Sequence, residues 1–171
     1  MAPATFQLPR VYTVGHSTRP IENFIGLLRT HGIEALADVR SYPGSRRHPQ
    51  YNREALSRSL KDAGIAYYHM VSLGGRRKEN QASEQEKFRG GSPFSAYIDY
   101  AKTEPFQSAL KELEVLASAK PTAFMCAEAD WRNCHRQFIA EALERRGFTV
   151  IHIADPKAAS AADTAPRLPG L

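Results

Sequence analysis

The chain has 171 residues, 42% of them hydrophobic and 24% charged, and carries a formal net charge of +5 at pH 7. That length suits one domain with a full hydrophobic core, and its two cysteines do not make a disulfide scaffold. No apolar run approaches the ~18 residues of a membrane span, and the first residues lack a charged-then-apolar signal pattern, so a cytoplasmic protein without membrane contact is expected.

Strand-like and helix-like patterns alternate along the chain. Residues 11–15 read as a first strand. A helix follows over about 20–31, with Pro20 suited to its first turn, Phe24, Leu27 and Leu28 as its apolar stripe and Gly32 as its stop. Residues 35–39 are a second apolar run. Asn52 stands where it would cap a helix over 53–63, which turns Leu56 and Leu60 inward and ends at Gly64. Residues 66–70 look like a third strand. After a long polar connection, Ser92-Pro93 and Thr103-Glu104-Pro105 open two more helices, the second with Phe106, Leu110, Leu113 and Leu116 on one face. Residues 122–126 read as the fourth strand, 134–146 as the last helix, stopped by Gly147, and 149–153 as the fifth strand.

This alternation predicts a single compact α/β domain over residues 10–156. Its mostly parallel five-stranded sheet would be covered by helices in a Rossmann-like three-layer arrangement. Residues 1–9 read as a loose leader, and 157–171, rich in Ala, Pro, Ser and Thr, as a disordered tail.

In such a sheet the strand exits lie along one edge, where open α/β folds bind ligands. The first strand ends in Gly15-His16-Ser17 and the second in Asp38-Val39-Arg40. The third runs from His69 to Gly74-Gly75-Arg76, the fourth gives Cys126-Ala127-Glu128, and the fifth ends in His152-Ile153-Ala154-Asp155. Loops are polar in any protein, but imidazole, guanidinium, thiol and carboxylate groups together point to a functional crevice.

Residues 122–136 are its densest part, with both cysteines, two carboxylates and the only tryptophan. On the last helix Phe138, Ile139, Ala142 and Leu143 define the buried face. His135 falls near its centre, with Cys134 and Arg136 toward its borders. Basic residues in a first turn oppose the helix macrodipole, so an offsetting negative group is expected. It is either Glu128 or Asp130 in an internal ion pair, or a bound phosphate or carboxylate.

Cys126 admits three readings. Its spacing to Arg132 matches a cysteine-phosphatase loop, yet residues 127–131 contain no glycine and two carboxylates, which would repel a dianion. With Cys134, His135 and His16 it offers metal-ligand chemistry but not the paired spacing of structural zinc, and no metal is assigned. A buried, inert thiol is the leading reading for both cysteines.

Two loops add cations and rings. Residues 44–53 carry Ser45, Arg46, Arg47, His48, Tyr51 and Arg53, and residues 74–78 carry Gly74, Gly75, Arg76, Arg77 and Lys78, with Tyr42, Tyr67, Tyr68 and Tyr97 nearby in sequence. The phosphates and bases of a nucleotide or a single strand would suit this mixture. A solvated basic surface over core tyrosines is the alternative.

Taken together, these motifs resemble a known family. Val14-Gly15-His16-Ser17, Asp38-Val39-Arg40 with Pro43, Ser45 and Arg46, and Leu73-Gly74-Gly75-Arg76 occur in its order. So do Met125-Cys126-Ala127-Glu128, Cys134-His135-Arg136 and the closing His152-Ile153. Over residues 11–155 the chain is similar to the bacterial and archaeal family catalogued as domain of unknown function 488. The resemblance implies a compact α/β domain and brings no established reaction, although some members are loosely described as DNA-repair proteins. Its motif positions fall on His16, Asp38, Arg40, Ser45, Arg46, Gly75, Arg76, Cys126, Glu128, Cys134, His135 and Arg136.

The resulting expectation is an enzyme acting by hydrolysis or transfer on a phosphate-bearing substrate, a nucleotide or nucleic acid. Glu128 would be the general acid or base, with His135 or His16 as proton partner. Arg40, Ser45, Arg46, Gly75, Arg76 and Arg136 would hold the anion. The alternative is a non-catalytic module that binds or senses the same ligand. No cofactor is named by the sequence.

Overall fold

Apolar runs bounded by turn residues become strands, and stripes of period 3.6 become helices. In the computed structural model, which describes residues 7–75 and 95–154, they follow in order as β1 (Arg10–Gly15), α1 (Ile21–Thr30), β2 (Ala35–Asp38), α2 (Arg53–Asp62), β3 (Ala66–His69), α3 (Ser95–Ala101), α4 (Glu104–Ala119), β4 (Thr122–Cys126), α5 (Arg136–Arg145) and β5 (Thr149–His152). All strand pairings are parallel, in the order β3-β2-β4-β1-β5. The α/β three-layer architecture is therefore the one the alternation predicts.

Both faces of the sheet are covered. Phe24 and Leu28 of α1 and Leu56 and Leu60 of α2 pack with Leu36, Ala123 and Met125 on one face. Tyr97 of α3, Phe106 and Leu110 of α4, and Ile139 and Leu143 of α5 pack with Ala37, Phe124 and Cys126 on the other. Successive residues of β4 thus serve opposite cores, which is why all of this central strand is buried and reads as a continuous apolar run. The register pairs Gly15 with Cys126, Asp38 with Met125 and Asp38 with His69. The exits of β1 to β4 are therefore level at one edge.

Local chemistry moves some boundaries. Asn52 stands at the start of α2, but its side chain makes no cap; Oδ1 accepts the Ser45 amide at 2.6 Å and ties down the preceding loop. The last helix starts later than its pattern predicts. Trp131–Asn133 form a 3-10 turn capped by Asp130, and Cys134 is extended at φ −135°, so α5 opens at Arg136. Gly64 and Gly147 lie just past α2 and α5 with φ of +78° and +87°, the left-handed turn that ends a helix.

The helix start expected at Ser92-Pro93, the basic run 76–78, Asp155, the tail 157–171 and residues 1–6 of the leader lie outside the described residues. Among the described residues no helix is long and apolar enough to cross a membrane.

Candidate functional site

At the β2 exit, the extended chain puts Asp38 and Arg40 on the same side, two residues apart. The fully buried Asp38 accepts Arg40 Nε at 2.8 Å on Oδ1 and Arg40 Nη2 at 2.7 Å on Oδ2. Arg40 Nη2 also donates to the Tyr51 carbonyl at 2.9 Å, and Tyr67 donates its hydroxyl to Asp38 Oδ2 at 2.6 Å. Burial and the Asp38 charge push the Tyr67 phenol well up, so it remains a donor. The pair is planar, bidentate and closed on itself.

His16, at the β1 exit, completes this group. Its ring stacks on Tyr51 with centroids 4.0 Å apart. Burial, against the pull of its Ser17 hydrogen bond, lowers its pKa to about 4, and Arg40 lowers it further. The ring is therefore neutral near pH 7. Nδ1–H donates to Ser17 O at 2.8 Å, leaving Nε2 to accept from Arg40 Nη1 at 3.3 Å. Both ring nitrogens are engaged, so His16 supports Arg40 in this arrangement.

A second group forms at the β4 exit. Arg136, expected at the border of the α5 face, is instead buried, with 1% of its surface exposed. Its Nε donates to Cys126 Sγ at 3.0 Å, its Nη1 to Thr13 Oγ1 at 3.0 Å, and its Nη2 to the Glu128 and Ala129 carbonyls. Neither carboxylate foreseen as its ion partner pairs with it. Asp130 caps the 3-10 turn and meets Arg132, and Glu128 offers its carbonyl only. The amides that open α5 are also used, with Gln137 N bonded to Cys134 O and Phe138 N to His135 O, each at 3.1 Å.

The two sulfurs touch. Cys126 Sγ and Cys134 Sγ are 2.8 Å apart, and His135 Nδ1 lies 3.4 Å from Cys134 Sγ. The other ring nitrogen of His135 donates to Val39 O at 3.1 Å, which fixes the ring toward the sheet. The Cys126 hydrogen bond, His135 and the Arg136 backbone amide together push the Cys134 thiol down despite burial. Donation to Cys134, and then burial, push Cys126 up.

Glu128 stands above these groups. A Cβ at Gly15 would lie 1.8 Å from the Glu128 carbonyl oxygen, so only glycine lets residues 128–129 cross the end of β1. Ala127 O accepts Ser17 N at 3.0 Å, and Arg136 holds Glu128 O from below. The main chain is thus pinned on both sides, while the Glu128 side chain is exposed and no bond to its carboxylate is found among the described residues.

The other predicted positions divide. Ser45 is a loop brace, its Oγ accepting His48 N at 3.1 Å. Arg46 is exposed on that loop. Gly75 lies against His135, where a Cβ would stand 2.6 Å from Nδ1. Arg76 lies outside the described residues. The structure therefore joins His16 to Arg40 directly, and Gly75, His135, Arg136 and Glu128 through the β4 exit.

The family model described as "Domain of unknown function DUF488" matches residues 20–143. The chain belongs to this family. The match spans Arg40, Ser45, Arg46, Gly75, Arg76 and the whole 126–136 segment, and leaves His16 and β5 outside it. No curated protein and no solved structure matches the chain.

Sequence reasoning missed several partners of this DUF488 site. The Asp38–Arg40 pair was discoverable from its i, i+2 spacing on a strand exit. Thr13 beneath Arg136 and the Cys126–Cys134 contact had no local signal, and Tyr51, expected beside the crevice, gave none that it stacks on His16. Nor had the stack of Trp131 on His152, with ring centroids 3.8 Å apart.

Proposed function

We propose that this is a cytoplasmic enzyme acting by hydrolysis or transfer on a phosphate-bearing nucleotide or nucleic acid, with Glu128 as its general acid or base. The observation that carries this reading is the solvent-facing Glu128 carboxylate on a pinned main chain at the shared strand exit. A positioned carboxylate without an internal partner can exchange a proton with a bound substrate. The exposed Arg46 and Arg47 of the neighbouring loop supply cations for phosphate, whereas Arg40 and Arg136 hold the site's frame. His16 is buried and His135 half-buried, so His135 is the more accessible proton partner of the two.

One observation favours a second reading, a non-catalytic sensor of the same ligands. The inner arginines and His16 spend their hydrogen bonds on the protein, which leaves Glu128, among the described site residues, as the carboxylate without an internal partner. Thermal-shift screening against nucleotides and short oligonucleotides, followed by product analysis of each binder, separates the two. An enzyme carrying Glu128→Gln should keep the thermal shift and lose turnover by ~10²–10⁴-fold. Unchanged turnover would remove Glu128 from the chemistry, and binding without product in the wild type would favour the sensor.

A further inference from the structure

We propose that Cys126 and Cys134 are a two-electron redox pair, closed into an intrachain disulfide by a hydroperoxide and reopened by a dithiol. The inference is independent of the substrate bound at the sheet edge.

The geometry is already close to that of the product. The sulfurs lie 2.8 Å apart, against about 2.05 Å in a disulfide. Cys126 ends a central strand and is held in the sheet, whereas Cys134 is an extended residue between a 3-10 turn and α5. The connecting residues 127–130 are exposed, so the small approach falls on a surface segment and not on the core.

The surroundings favour a thiolate. Arg136 Nε sits on Cys126 Sγ at 3.0 Å and His135 Nδ1 lies 3.4 Å from Cys134 Sγ. Cys134 stands two residues before α5 opens at Arg136, where the positive end of a helix stabilises an anion. Arg136 is almost wholly buried and meets no carboxylate among the described residues. An uncompensated guanidinium in the interior is strongly unfavourable, and among the described residues the sulfur pair, which it touches through Cys126, is the group that can carry the offsetting charge. An inert pair of core thiols would not explain this arrangement.

The chemistry balances with a peroxide as oxidant. The Cys134 thiolate attacks one peroxide oxygen; the S–O bond forms, the O–O bond breaks, and the departing hydroxide takes a solvent proton to become water. Cys126 then attacks the sulfenic sulfur; the S–S bond forms, the S–O bond breaks, and the Cys126 proton leaves with the oxygen as a second water. The two sulfurs lose two electrons together, and the peroxide gains them.

The test treats the full chain with near-stoichiometric hydrogen peroxide and follows intact mass, thiol count after denaturation and peptide mapping. The expected result is loss of both thiols, a mass lower by two hydrogens, a linked Cys126–Cys134 peptide, and full reversal by dithiothreitol. In Cys126→Ser the linkage should vanish, and dimedone should trap a sulfenic acid at Cys134. Cys134→Ser should leave Cys126 largely unreacted under the same conditions. Unchanged thiols, oxygen addition without a linked peptide, or chains cross-linked to one another would each overturn the proposal. So would equal reactivity of Cys126 in Cys134→Ser.

Discussion

His16 shows how burial rather than residue type sets a role. A histidine after a strand invites a catalytic reading, but this one is stacked on Tyr51, faces Arg40 and stays neutral. Its folded pKa of about 4 lies below the ordinary 6.5, so the unfolded chain binds the extra proton first. The stability due to the neutral ring is therefore complete above 6.5 and is lost as the pH falls toward 4. The gap between the two pKa values corresponds to about 3 kcal/mol. Burial lowers the His152 pKa too, and it adds to the fall in the same window. Urea unfolding over this range should show a shallower loss in His16→Gln than in the wild type. Parallel curves would mean that the ring is not buried neutral.

At the scale of elements, one buried polar side chain ties the opening of α5 to the sheet, beside the packing of Ile139 and Leu143. Arg136 reaches Thr13 on β1, Cys126 on β4 and the carbonyls of the connecting segment. Replacing it by alanine leaves those groups unpaired around a cavity and should lower the unfolding free energy by about 3–5 kcal/mol. Arg132, an exposed neighbour paired with Asp130, should lose less than about 1 kcal/mol as Arg132→Ala. Chemical denaturation of both variants checks the contrast, and losses of similar size would refute the anchoring role. The helix, its apolar face and its basic opening were legible in residues 134–146. The depth of Arg136 was not, because Thr13 is 123 residues away.

In the whole molecule, β4 stands between β1 and β2 and is covered by helices on both faces, so its backbone bonds are the best protected. β3 and β5 are edges, and Tyr68 on β3 is 40% exposed. Native-state hydrogen exchange should therefore be slowest in β4 and its two neighbours, with β3 and β5 released earlier by local opening. Equal protection in all strands would contradict this gradient. The same topology gathers the site, since the level exits of β1, β2 and β4 bring His16, Arg40 and Glu128 to one edge.

What the sequence determined by itself was whatever depends on near neighbours. Periods of two and of 3.6, stop glycines and strand exits set the elements, the α/β class and the segment from 122 to 136 as the chemical centre. Tertiary structure alone decided the strand order and the partner of each polar group. His135 meets Val39 across 96 residues, Arg40 reaches His16 across 24, Glu128 keeps its carboxylate in solvent, and two cysteines that read as inert come into contact. The physical reason is that a buried charge or thiol takes its chemistry from whatever group packing brings within about 3 Å. Here that group often lies on an element remote in the chain, so its identity is absent from any local pattern.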